Sequence, residues 1–152
     1  MIFRRLLPLA AAALVFAAPA AAQSSSQVAL LHEINRVRAA HGLQQLSFDP
    51  VLARAALAHS RSMTSTGTFA HGAFRTRMLQ FHVTGPFVGE NLAWGVGSYG
   101  SPQGIVTAWL HSPEHRANLL RPGFSRVGLG ELTSSFQGFA GANVVTADFA
   151  GR

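Results

Sequence analysis

The segment from Trp109 to Gly130 constrains the fold of this chain more than any other stretch. Its first ten residues hold a tryptophan, two histidines, a glutamate, an arginine and an asparagine. The segment then passes through Pro122-Gly123 into the run Val127-Gly128-Leu129-Gly130, in which apolar residues and glycines alternate with the period of a strand. Polar density of this kind beside a tryptophan rarely arises from packing alone. We therefore expect functional side chains where a helical region leads into a sheet.

Residues 1–22 have the pattern of a signal peptide. Arg4-Arg5 precede an apolar run from Leu6 to Ala18, and small residues follow up to Ala22, after which we predict cleavage. The run is shorter than the ~20 residues of a membrane span, although an uncleaved N-terminal anchor stays an alternative. We predict a secreted or periplasmic protein with one domain over residues 23–152, which is not an integral membrane protein once the signal is removed.

Composition excludes several functions. The chain has no cysteine, so an exported form of it has neither disulfides nor thiol chemistry. Its formal charge of +6 includes Arg4 and Arg5, and the remaining arginines are scattered without a run of three. A nucleic-acid surface would show a clustered basic stripe, so we predict no nucleic-acid partner. A solvated basic surface or weak attraction to an anionic envelope remain as explanations of the charge.

Apolar spacing predicts helices in the first half of the chain. A polar lead over residues 23–27 is expected to fray, and Leu30, Ile34 and Val37 then mark a helix that stops near Gly42. Asp49-Pro50 is typical of a helix start, and a second amphipathic helix follows. Its inward positions are Leu52, Ala55, Ala56, His59 and Met63. A short helix is predicted near residues 73–80, and a further helix runs from Ser101-Pro102 to about Ser112-Pro113.

The C-terminal region predicts strands. Residues 126–132, 134–140 and 143–149 alternate small or apolar residues with polar ones, as in an antiparallel meander. Gly138, Gly141 and Asn143 are the expected turn positions. Residues 95–100 are glycine-rich, but no lysine follows them, so a phosphate-binding loop is not expected.

Three motifs in order carry a family resemblance. They are Phe69-Ala70-His71, the string from Gly89 to Gly95 (GENLAWG), and the segment from Trp109 to Gly130. Together with Asn35, Arg38 and Gly42 near the start, they make the chain similar to the bacterial branch of the CAP superfamily, the SCP-like extracellular proteins. The resemblance implies an α+β fold: a single-domain α-β-α sandwich with a central antiparallel sheet.

The resemblance also implies a central cleft that contains His71, Glu90 and His115. We expect the carboxylate of Glu90, between a glycine and Asn91, to be held by backbone amides. The family tends to carry a second cleft glutamate three residues after the tryptophan, where this chain has Ser112. Glu114, Ser112 and Asn91 are therefore candidates for the margin of the cleft.

The cleft residues leave the chemistry open. His71 and His115, with Glu90 as a further donor, would offer two nitrogens and one oxygen, a set suited to zinc or another divalent cation with one open position. The spacing of 44 residues matches no local zinc motif, however. The same three groups could also act as acid and base, because imidazole titrates near neutral pH and a carboxylate can orient it.

Three functions follow from these alternatives. The first is a non-catalytic binding module in the cell envelope or medium, whose cleft binds a metal ion and a small apolar or lipid-like ligand, with an envelope or extracellular protein as a further kind of partner. The second is a metal-assisted, peptidase-like hydrolase with His71, Glu90 and His115 as catalytic residues, which the replacement at Ser112 weakens. The third is an envelope structural protein in which these residues only brace loops.

Overall fold

A mixed four-stranded sheet lies between two helical layers in the computed structural model, which describes residues 23–151. The elements in chain order are α1 (Ser25–Ala40), β1 (Ser47–Phe48), α2 (Pro50–Thr66), α3 (Phe74–Gln80), β2 (Val88–Gly95), a 3-10 helix (Gly97–Gly100), α4 (Pro102–His111), α5 (Pro113–Leu119), β3 (Arg126–Phe136) and β4 (Phe139–Ala150). The strand order is β1-β3-β4-β2. The predicted α-β-α sandwich is confirmed. The predicted signal peptide lies outside the described residues.

The sheet is antiparallel except at one edge. β3 pairs antiparallel with β4, and β4 pairs antiparallel with β2. The two residues of β1 pair parallel with Arg126 and Val127. β2 forms the opposite edge.

Two long strands replace the predicted meander of three. The turn lies at Gln137-Gly138, where both residues have positive φ (52° and 84°), as a two-residue hairpin turn requires. Gly141 and Asn143, predicted as turn positions, lie inside β4. The prediction was wrong there because Asn143 pairs with Thr133 and the ladder resumes at Phe139 opposite Phe136, so Gly141 lies only at a register shift within the hairpin.

Capping residues set where α1 and α2 begin. Asp49 Oδ1 accepts bonds from the amides of Val51 (2.8 Å) and Leu52 (3.2 Å), which starts α2 with Pro50 in its first turn. α1 begins at Ser25, within the lead that was expected to fray. Ser24 and Gln27 form a reciprocal capping box that satisfies its first amides.

Each face of the sheet buries its own core. One face packs on α1, α4 and α5, and its cluster contains Leu30, Ile34, Val37, Ile105, Trp109, Val127, Leu129, Val145, Ala147 and Phe149. The other face packs on α2 and α3. There the α2 backbone lies so close to β3 that a Cβ on Gly128 would come within 2.0 Å of the Ala53 nitrogen. The alternating glycines of β3 therefore allow α2 to lie directly on the sheet.

The two polar residues of the α1 motif have structural roles. Asn35 exchanges two bonds with the backbone of Leu46, at 3.0 and 2.8 Å. Arg38 is fully buried. Its guanidinium donates to the carbonyls of Gln44 (2.9 Å), Leu119 (2.8 Å), Arg121 (3.2 Å) and Phe124 (3.2 Å). It thereby joins α1 to the segment between α5 and β3.

Replacing Arg38 with lysine should lower the free energy of unfolding by roughly 3 kcal/mol. The ammonium group keeps the charge but cannot reach all four carbonyls, and buried acceptors left without a donor are costly. Urea unfolding measures the change. Arg36→Lys is the matched control, because that side chain is 60% exposed and its variant should change the free energy little. Equal stability of the two variants would contradict the structural role of Arg38.

Candidate functional site

The cleft residues meet across the outer edge of β2. His71 lies in the loop between α2 and α3, on one side of the sheet, and His115 lies in α5 on the other side. Glu90 is the third residue of β2, between them. The structure thus brings together the three residues predicted from the sequence.

Side chains hold Glu90, in place of the backbone amides that were predicted. Its side chain is 2% exposed. Oε1 accepts a bond from His71 Nδ1 at 2.7 Å, and Oε2 is paired with Arg77 Nη2 of α3. The expectation failed because Glu90 lies within a strand, where the backbone amides are used by the ladder to β4.

The bond to Glu90 sets the orientation of His71. With Nδ1 donating to the carboxylate, the neutral ring carries its free lone pair on Nε2. The side chain is 54% exposed. The rings of His71 and His115 have centroids 6.4 Å apart and planes inclined by 45°. His71 therefore presents a nitrogen donor in an open cleft that contains a second imidazole.

Amide side chains hold α5, which carries His115, against β2. Asn91 Nδ2 donates to the His115 carbonyl at 2.9 Å. Asn118 Nδ2 donates to Asn91 Oδ1 and to the Glu90 carbonyl, both at 3.0 Å. Asn91 thus positions the backbone of His115. Burial lowers the pKa of His115, the nearby His71 adds to this, and the charge of Glu114 opposes it.

The other two marginal candidates lie outside this network. Ser112 is the residue between α4 and α5, and its side chain makes no capping bond. Glu114 is exposed in the first turn of α5, and none of the ion pairs within residues 23–151 includes it. Glu114 reaches His115 through its charge alone.

Three further residues of the site were not predicted from the sequence. Arg77 binds Glu90, and Asp148 of β4 lies directly opposite Glu90 in the strand register. His59 of α2 was assigned only to the core. Its Nε2 bonds the Ala70 carbonyl at 2.9 Å, next to His71, and lies 4.0 Å from Glu90 Oε2. One signal in the sequence could have found Asp148. It interrupts the apolar run of β4, and a carboxylate is rarely buried there unless it has a partner.

Burial dominates the electrostatics beneath the cleft. It raises the pKa of Glu90 to about 7 against the opposing charge of Arg77. Asp148 is fully buried, neither of its oxygens has a hydrogen-bond partner, and its Oδ1 lies 3.8 Å from Arg77 Nη2. Burial and the charge of Glu90 raise the pKa of Asp148 well above its usual range. One guanidinium thus faces two carboxyl groups, which favours retention of one proton by the pair.

The cleft leaves few donor atoms free for a divalent metal. Both oxygens of Glu90 are engaged, which leaves His71 Nε2 and the His115 ring as the free donors of the cleft. Within residues 23–151 no group of three His, Cys, Asp or Glu side chains is placed to hold a metal ion. A carboxylate that accepts the other N–H of a histidine is, however, the usual support of a metal-binding imidazole. Among the described residues the cleft therefore offers two imidazoles and no third free donor, fewer than the three protein ligands usual at an open zinc site.

Replacing Asp148 with asparagine should flatten the pH dependence of stability. In the wild type, the folded pair binds a proton that the unfolded carboxyls release near pH 4, so stability falls as pH rises above that value. The limiting slope is about 1.4 kcal/mol per pH unit for one proton. Burial lowers the pKa of His59 to about 4, which gives an opposite slope in both proteins, so the difference between them isolates the pair. Urea unfolding between pH 4 and 8 measures it, and parallel curves would refute the shared proton.

Comparison with known proteins identifies the family. The pattern of "CAP: Cysteine-rich secretory protein family" matches residues 31–149. Two proteins of Bacillus subtilis are similar: the uncharacterized membrane protein YlbC, 32% identical over 71% of this chain, and the uncharacterized protein YkwD, 33% identical over 66%. The matches cover 32% and 40% of those relatives, so the chain spans well under half of their lengths.

Solved structures agree with this assignment. An SCP-domain extracellular protein of Bacillus anthracis superposes with a TM-score of 0.68 at 26% identity, covering 81% of this chain and 39% of that one. An outer surface protein of Borrelia burgdorferi gives 0.69 at 23% identity, covering 81% and 90%, and it shows the shared fold. Within residues 23–151, no helix is long and apolar enough to cross a bilayer. Because the family pattern spans both helical layers and the sheet, the chain belongs to the CAP (cysteine-rich secretory protein) family.

Proposed function

We propose that this chain is an exported CAP-domain binding module whose cleft holds a divalent cation, with zinc as the first candidate, between His71 and His115. The signal-like sequence of residues 1–22 and the secretory character of the family support export. The observation that carries the cation site is the 2.7 Å bond between His71 Nδ1 and Glu90 Oε1. It leaves Nε2 of an exposed imidazole as a lone-pair donor beside a second histidine.

Neighbouring side chains hold His71 and His115 in place. Arg77 holds the second oxygen of Glu90, so the carboxylate stays in place to orient His71. His59 bonds the carbonyl of Ala70, which fixes the backbone next to His71. The bond from Asn91 holds the backbone of His115 on the opposite side. A bound cation with open positions would supply a point at which an oxygen or nitrogen atom of a further ligand can coordinate.

The sequence analysis expected an apolar or lipid-like ligand in the cleft, but we propose a groove on α1 as the place for such a ligand. Its volume is about 430 Å³, and Val28, Ala29 and Pro102 form its apolar wall. Val28 is 52% exposed although it lies on a helix that faces the main core. The groove is outside the cleft, so cation binding and apolar-ligand binding can be measured independently.

Zinc titration by calorimetry on the mature chain at neutral pH tests the cation site. We expect stoichiometric heat for the wild type and none for His71→Ala or His115→Ala. Glu90→Gln should weaken binding about tenfold or more, because it removes the charged support of His71. His111→Ala is the control, since that exposed histidine lies in α4 and bonds only the Thr107 carbonyl.

Two results would contradict the cation site. The first is the absence of heat in the wild type. The second is unchanged zinc affinity in both cleft variants together with a melting temperature several degrees lower. That second result would show that His71 and His115 brace loops, as in the structural alternative.

Displacement of a fluorescent fatty acid tests the groove. Val28→Asp should abolish binding, because a carboxylate in the apolar wall would have to lose its water. Leu79→Asp introduces the same charge at a position that is 75% exposed on α3 and should leave binding unchanged. Equal binding by both variants would place any apolar ligand elsewhere.

A further inference from the structure

A second pocket lies at the opposite end of β2 from the histidine cleft. Glu90 and Gly95 are five residues apart on this strand, a distance of roughly 16 Å. The pocket has a volume of about 280 Å³. Its lining residues are Ser26, Gly95, Gly97, Gly100, Ser101, Glu131, Thr133, Gly141 and Asn143.

The pocket forms where one face of the sheet changes from apolar to polar. On the face toward α1 and α4, β3 places Val127 and Leu129 in the core, followed by Glu131 and Thr133. On β4 the core residue Val145 of the same face is likewise followed, toward the hairpin, by Asn143 and Gly141. The first turn of α1 and the start of α4 lie beside this polar end, which stays open.

Glu131 gives the pocket a carboxylate that accepts hydrogen bonds and that no cationic side chain of the described residues pairs with. Asn143 Nδ2 donates to Glu131 Oε2 at 3.3 Å and to the Gly100 carbonyl at 3.0 Å. The other oxygen of Glu131 is buried and has no hydrogen-bond partner. None of the ion pairs formed within residues 23–151 includes Glu131. Burial raises the pKa of Glu131, and the side chains of Asn143 and then Ser26 oppose this rise.

The charges around the pocket select the kind of ligand. An anion would meet the carboxylate of Glu131. A cation would meet the positive ends of two helices, because the N-terminal turns of α1 and α4 line the same space. A hydroxyl group can both donate and accept, so it suits the carboxylate, the hydroxyl of Thr133 and the glycine backbone.

We propose that this pocket binds a saccharide residue, which places hydroxyl groups on Glu131, Thr133 and Asn143. A bond from a sugar hydroxyl to a carboxylate is charge-assisted and so stronger than one between neutral groups. The small volume admits one sugar residue of a longer glycan. Gly97 and Gly141 line the pocket, and each has open space where a Cβ would stand.

Titration of the ¹⁵N-labelled mature chain with sugars, followed by amide chemical shifts, tests the proposal. The probes are glucose, N-acetylglucosamine and glucosamine at up to about 50 mM, which detects affinities into the millimolar range. We expect saturable shifts at the amides of Gly95, Gly97, Gly100, Gly141 and Asn143, and none at His71 or His115.

Glu131→Gln should weaken the affinity about tenfold or more, since it keeps the shape but removes the charged acceptor. Glu114→Gln makes the same change of charge at an exposed position on α5 and should leave sugar affinity unchanged. If Glu131→Gln does not fold, the map of wild-type shifts still decides the location.

Three results would overturn the proposal. One is the absence of shifts with all three sugars. Another is a set of shifts confined to residues outside the pocket. The third is a response to calcium or methylammonium without a response to neutral sugars, which would make the pocket a cation site.

Discussion

The buried ion pair between Arg77 and Glu90 is the interaction on which the cleft depends. Removing a carboxylate from water is costly, and the guanidinium beside it offsets part of that cost. Because Arg77 occupies one oxygen of Glu90, the other is fixed in direction and accepts the bond from His71. The orientation of an exposed histidine is thus set by a charge pair beneath the surface.

This pair makes the face under α2 and α3 different from an ordinary core. Glu90, Asp148 and Arg77 lie among apolar residues, and His59 lies within 4.0 Å of Glu90. α2 can cover these groups closely because glycines on β3 let its backbone lie directly on the sheet. Close coverage keeps water out, which is also why burial governs the protonation of the two carboxyls.

β2 connects two chemically different places. One end carries Glu90 and, through Asn91, holds His115 in position. The other ends at Gly95, beside a pocket of hydroxyls, glycines and one carboxylate. Glu90 faces the layer of α2 and α3 whereas the pocket faces the layer of α1 and α4, since successive residues of a strand point to opposite faces. A single edge strand therefore supports both a nitrogen-donor cleft and an oxygen-lined pocket.

The sequence by itself determined the main helix boundaries, the family resemblance and the choice of His71, Glu90 and His115 as cleft residues. Asp49-Pro50, Ser101-Pro102 and Ser112-Pro113 fix helix boundaries through capping and the geometry of proline, which act over a few residues. Only the tertiary structure decided how the carboxylates are satisfied. Arg77, Asp148 and His59 are distant from Glu90 in sequence, and their contacts arise from strand register and helix packing. The hairpin at Gln137-Gly138 was decided in the same way, because pairing with β3 overrides the turn tendency of Asn143 and confines that of Gly141 to a register shift.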